Sequence, residues 1–382
     1  MTQVMRFIAC AAMLLGVAAC GGAEVARRAE PTVKAADPRA AQMYMDAVQA
    51  LGRAKPGDKA AEDAAIASFE QAITIDPTLW EAHYNLGVLL RRRGELRKAL
   101  PHLQRAHELD RGAGEPLIAL AEVQHALGDR DEAAELLTEY MNDHPEANQV
   151  RIALTAILRE RGAYDQALDS ARKALVREPA NVAGLLEIGR IYRAKGDLDV
   201  AELVFQKALA LEPKNAAAQN DLGLIALARG DTQRAFDAFE KATAFDAQFI
   251  PARMNRASVL LRAGDYASAR SEYAKLLEVA ADRLDARVAL GISLRGLNKP
   301  DEAEAEYKKV LDTAPNHAAA LFNLAILRAD FQQRRSDAKP LFERYLEVSA
   351  EDDPERMTAE RYVREISAET EHAAADSKAT TK

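Results

Sequence analysis

The sequence predicts an all-α chain made of stacked helical hairpins, and three observations lead there. The composition is 48% hydrophobic but only 5% aromatic. Its apolar residues are dominated by Ala and Leu, the strongest apolar helix formers, with Val, Ile and Thr too sparse to supply a large sheet. A motif returns every 34 residues along most of the chain, and Gly and Pro fall at fixed places on that grid.

The motif has five parts. Leu86-Gly87, Leu120-Ala121, Leu154-Thr155, Ile188-Gly189, Leu222-Gly223, Leu290-Gly291 and Leu324-Ala325 share one register, and Arg256-Ala257 keeps the small second residue. Gly94, Gly128, Gly162, Gly196, Gly230, Gly264 and Asn298 follow, then Ala99, Ala133, Ala167, Ala201, Ala235, Ala269 and Ala303. Four residues further on stand Leu103, Leu137, Ala171, Phe205, Phe239, Tyr273 and Tyr307, and Pro145, Pro179, Pro213 and Pro315 close units on the same register. Each part has a physical task. The Leu and small residue let a first helix, A, pack closely on its partner. Gly or Asn supplies the left-handed conformation that stops helix A. Ala marks where helix B crosses A too closely for a larger side chain, the large residue fills the gap between successive hairpins, and Pro ends helix B.

This spacing resembles the tetratricopeptide repeat family, whose unit is a 34-residue helix–turn–helix. The match runs without insertion from Trp80 to about Asn323. The resemblance implies a right-handed superhelix (an α-α solenoid) whose A helices line a concave face that holds extended peptides or helices of other proteins. Repeat starts are expected near residues 41, 80, 114, 148, 182, 216, 250, 284 and 318, giving nine hairpins over 41–353. In the first, Gly52–Asp63 adds about six residues to the turn; in the last, Ala338, Phe342 and Tyr345 continue the pattern one residue late. Asp353-Pro354 opens a capping helix over 354–370 with an apolar stripe of Met357, Tyr362, Val363 and Ile366, and residues 371–382 are expected to be a disordered tail.

The first residues are an address. Arg6 precedes an apolar run from Phe7 to Ala19, too short to span a bilayer comfortably. It ends Val17-Ala18-Ala19-Cys20, which resembles the bacterial lipobox, so residues 1–19 are expected to be removed and Cys20 to be acylated. Gly21 follows, where Asp retains many lipoproteins at the inner membrane; the outer membrane's periplasmic face is the expected location, with the outer leaflet of the inner membrane as the alternative. Residues 20–40 read as a flexible tether.

Inward positions of the A helices include Tyr84, Ile152, Leu186, Asn220, Met254, Val288 and Phe322. Further along the same helices lie Arg91, His125, Arg159, Arg190, Arg193, Arg262 and Arg295. Together they predict a partly apolar groove rimmed with guanidinium groups that pair with carboxylates of a partner. A single exposed Arg on a helix is otherwise solvated surface.

No chemistry emerges elsewhere. The net charge is −8 with both signs interspersed, which gives no reason to expect nucleic-acid binding. The two cysteines are Cys10 and Cys20, so residues 21–382 hold no disulfide, thiolate metal site or cysteine nucleophile. His107-Glu108 begins like a zincin motif but continues Leu109-Asp110-Arg111, without the second histidine. Asp129 with Asp131, and Asp197 with Asp199, are carboxylate pairs at Gly-Asp turns. There is no nucleophile elbow, P-loop or dinucleotide fingerprint. A non-enzymatic, cofactor-free scaffold is expected. It resembles tetratricopeptide lipoproteins of myxobacterial gliding motility, with secretin pilotins and accessory lipoproteins of cell-wall or polysaccharide synthesis as alternatives.

Overall fold

The structure, a computed structural model, describes residues 36–54 and 58–380. The signal segment, Cys20 and most of the tether expected over 20–40 lie outside the described residues. The chain divides into two compact units, at Glu187 and Ile188.

The first unit holds α1 (Pro38–Arg53), α2 (Lys59–Ile75), α3 (Trp80–Arg92), α4 (Leu96–Leu109), α5 (Gly114–Leu127), α6 (Arg130–Asp143), α7 (Asn148–Glu160), α8 (Tyr164–Arg177) and the start of α9 (Val182–Lys195). The second holds the rest of α9, then α10 (Leu198–Leu211), α11 (Ala216–Ala228), α12 (Thr232–Phe245), α13 (Ile250–Arg262), α14 (Tyr266–Val279), α15 (Leu284–Gly296), α16 (Pro300–Thr313) and α17 (Ala318–Ile326). A π-helical turn, Leu327–Phe331, continues α17, and α18 (Arg335–Val348) and α19 (Arg356–Thr380) follow. In each unit an odd helix packs on the even helix after it, and also touches the next odd helix, as α3 does α5 and α13 does α15. This is the all-α hairpin repeat that the 34-residue motif predicts.

The motif residues act locally. Gly94 and its five glycine counterparts, with Asn298, have positive φ, so a left-handed residue ends each odd helix from α3 to α15. Ala99, Ala133, Ala167, Ala201, Ala235, Ala269 and Ala303 are all fully buried. The small residue of the A helix is a notch. A Cβ built on Gly189, Gly223 or Gly291 would stand 2.4–2.5 Å from the ring of Phe205, Phe239 or Tyr307. The large residue expected between hairpins therefore seats first on the glycine of its own hairpin. Each such ring, fully buried, contributes roughly 1.5–3 kcal/mol of transfer free energy.

Proline marks the ends of helices B but does not cause them. α6, α8, α10 and α16 stop two residues before Pro145, Pro179, Pro213 and Pro315. α4, α12 and α14 stop at the same register, where the corresponding residues are Arg111, Ala247 and Ala281.

Both ends of the array depart from the grid. The extra length of the first hairpin lies mainly in its helices, not in its turn: α1 has 16 residues and α2 has 17, against 13 in α3 and 14 in α4. In the ninth hairpin the one-residue slip is absorbed by the π-turn, which accommodates one more residue than an α-turn. The left-handed residue accordingly moves to Gln333, and the packing pattern resumes with Ala338, Phe342 and Tyr345 buried. The closing helix buries Ala359 and Ile366, with Tyr362 and Val363 beside them. Met357, expected in that stripe, is 80% exposed. Helix α19 continues to Thr380, beyond the boundary near 370 expected for the cap.

Candidate protein-binding face

The expected inner residues all sit on odd helices, where the hairpin repeat places them. Their apolar members belong largely to the packing. Tyr84 is half-buried against the first unit's core, with its ring 6.4 Å from Trp80. Leu186 is buried, and Met254 packs partly buried against the core of α13–α17. Phe322 turns into the last hairpin, its ring 6.0 Å from Phe342 and 5.2 Å from Tyr345.

The arginines are more informative. In the first unit, Arg91 pairs with Glu122 of the next odd helix, and burial pushes the Arg91 guanidinium down from its ordinary pKa. His125 Nε2 lies 2.5 Å from Glu160. Arg159 donates from Nε to Glu187 at 2.9 Å and from Nη2 to Glu160 at 3.1 Å. In the second unit, Arg190 donates to Asp221 at 2.9 Å, and Arg193 reaches the other oxygen of Asp221 at 4.0 Å. Asn220, buried next to Asp221, accepts from Asn255 at 2.8 Å. The basic residues expected to rim a groove thus pair from one odd helix to the next within each unit.

A second set of arginines reaches backward, to the preceding even helix. Arg92 pairs with Glu62, Arg93 with Asp63, Arg161 with Asp131 and Arg229 with Asp199. Glu304 on α16 accepts from Gln332 at 2.8 Å and from Arg328 at 3.1 Å, both of the last hairpin, with Lys308 at 2.9 Å. Burial works against this carboxylate, but those donors outweigh it and hold its pKa at about 2. Two arginines differ: Arg262 is exposed, and neither it nor Arg295 has an ion-pair partner among the described residues.

One cluster escaped sequence reasoning. His83 Nδ1 and His102 Nδ1 lie 3.3 Å apart, across the α3–α4 hairpin. A search for histidines spaced along one helix does not see a pair 19 residues apart on two helices. Burial lowers both pKa values; the His102 ring lowers that of His83 further, whereas Glu70 works against the shift at His102. Among the described residues no group of three or more His, Cys, Asp or Glu side chains is placed to hold a metal. No described helix is long and apolar enough to cross a membrane.

Three family models, each described as Tetratricopeptide repeat, match the chain: one at residues 186–248 and 288–354, one at 90–157 and 226–291, and one at 68–100. No curated protein matches it. Among solved structures, the APC/C hetero-tetramer Cut9–Hcn1 is similar with a TM-score of 0.55 at 14% identity, over 85% of this chain and 62% of that one. A tetratricopeptide repeat protein from Parabacteroides merdae matches at 18% identity and a TM-score of 0.44, over 66% of this chain and 98% of that one. A thermophilic repeat protein of Thermus thermophilus matches at 25% identity and a TM-score of 0.43, over 48% and 99%.

Proposed function

Because the chain is built of tetratricopeptide repeats, a fold that serves as a scaffold for protein–protein interaction and is typically non-enzymatic, we propose that it is a lipid-anchored adaptor of a bacterial envelope complex. Cys20 carries the acyl chains, the tether lets the array stand off the outer membrane, and the odd-helix face gathers partner proteins in the periplasm. The observation that carries this reading is the hairpin repeat within each unit, which sets successive odd helices side by side and lines them with charged and half-buried side chains. A motility complex of the gliding type is the first machinery to test. Secretin assembly and cell-wall or polysaccharide synthesis come after it.

Two measurements test the reading. Cys20→Ala is expected to move the protein from the membrane to the soluble fraction, because the acyl chains that hold it there are no longer attached. Full retention in the membrane would refute the anchor. Crosslinking in intact cells is expected to trap motility-complex proteins. A trapped set of secretin or cell-wall proteins would redirect the proposal, and trapping none would end it.

A further inference from the structure

On the odd helices one register position is basic repeatedly: Arg91, His125, Arg159, Arg193 and Arg295 stand on the same 34-residue grid. The first four each meet a carboxylate of the following odd helix, from Glu122, Glu160, Glu187 and Asp221 respectively. Arg295 breaks the series. At the places from which those carboxylates come, the next odd helix presents Asn323, Ile326 and Asp330. Asp330 is engaged: it accepts from Tyr362 Oη at 2.7 Å.

What meets Arg295 is a ring. Its guanidinium carbon lies 5.6 Å from the centre of Phe331, the last residue of the π-turn. Cation–π contact leaves the N–H groups of an arginine free to donate. Arg295 Nη1 is buried without a hydrogen-bond partner, as is the hydroxyl of Tyr307, so an acceptor from outside meets this guanidinium only through the donors that the half-buried side chain leaves toward the surface. Phe331 is 46% exposed, a large ring presented at the surface by a π-turn, a device common at functional sites. Arg262, exposed at the end of α13, adds positive charge on the preceding odd helix.

We propose that Arg295 and Phe331 form the anchoring point for an acidic segment of a partner protein. A carboxylate of the segment takes the guanidinium fork of Arg295, a neighbouring apolar side chain covers the Phe331 ring, and Arg262 draws a second acid. Charge complementarity selects this occupant: in a chain where the corresponding cations hold internal acids, this one offers its donors to an acid from outside. The inference rests on the adaptor reading and locates its partner-binding site in the second unit.

The test uses the full chain. A randomised dodecapeptide library is sorted on immobilised wild-type protein, and the best binder is labelled with fluorescein for anisotropy titration. Enriched peptides are expected to carry Asp or Glu beside an apolar residue. Arg295→Gln is expected to weaken binding by about tenfold or more, the range of a charge-assisted hydrogen bond. Arg295→Lys falls between, Phe331→Ala costs about fivefold, and Arg159→Gln stays within about twofold because its side chain already holds Glu187. Amidating the acids of the peptide costs the wild type as much as Arg295→Gln does, and costs Arg295→Gln itself little more. Unchanged circular dichroism of Arg295→Gln separates lost binding from lost fold. Binders without acids, or equal affinity for wild type and Arg295→Gln, overturn the proposal. Crosslinking in cells then distinguishes the two levels. Partners trapped equally by both proteins sink the site and leave the adaptor standing, whereas no partner trapped by wild type sinks both.

Discussion

The odd-helix face of the first unit and that of the second part company in what their basic residues hold. In the first, Arg91, His125 and Arg159 each close on an acid of the neighbouring odd helix. In the second, Arg190 and Arg193 do so on Asp221, but the series then passes to an amide pair, Asn255 and Asn220, and ends with Arg295 over an aromatic ring. The difference teaches that a basic residue repeated on a solenoid face can serve two ends. Closed pairs fix one helix against the next, because each orders two side chains between repeats. An open one is surface chemistry. The same residue type on the same register therefore does not carry the same meaning.

The largest expected effect tests whether the two faces stand on similar cores. Phe239→Ala and Leu103→Ala each empty the notch beside a glycine, Gly223 or Gly87. Losses of about 3–5 kcal/mol for the first and about 2–5 kcal/mol for the second are expected in urea unfolding. A loss confined to one unit's residues in hydrogen exchange would report how independently the hairpins melt.

A smaller effect goes to the heart of the comparison. Arg159→Gln leaves Glu187, only 7% exposed at its side chain, with a weaker partner, and roughly 1.5–3 kcal/mol should be lost. Arg295→Gln deprives no acid of a partner and should cost under about 1 kcal/mol, its cation–π contact alone. Equal losses would erase the distinction between closed and open positions.

Acid sharpens it further. Glu304, with its native pKa at about 2 and its ordinary value at 4.5, binds protons more readily unfolded than folded. Its contribution is complete above pH 4.5 and drains away as pH falls toward 2. Glu304→Gln should flatten that limb of a stability-against-pH curve for the second unit. The smallest effect belongs to the first unit. His83 and His102 have depressed values, so the unfolded chain takes up their protons first, and stability begins to fall as pH drops below 6.5. His102→Gln should reduce that slope, as followed by thermal unfolding between pH 7 and 5.

The repeat was legible because its residues act within one hairpin. Gly94 must take a positive φ, and Ala99 must be small, whatever the neighbouring repeats contain. The pairing between odd helices was not legible, since its partners lie 28 to 35 residues apart, as in Arg159–Glu187 and His125–Glu160, and which of several arginines closes depends on side-chain reach. The placing of Phe322 inside the last hairpin follows from Phe342 and Tyr345, whose positions depend on where the extra residue of that hairpin goes. The slip at Ala338 announced the extra residue; only the backbone says that a helix, and not a loop, holds it.

That π-turn has a meaning for how such chains tolerate change. A residue gained inside a helix would ordinarily rotate everything after it by about 100°, turning buried faces outward as a shifted reading frame scrambles the codons beyond it. Here the wider turn swallows the additional residue where it falls, and Ala338 resumes the frame. The array suppresses its own frameshift, and the residue left standing at the point of suppression, Phe331, becomes raw material for recognition.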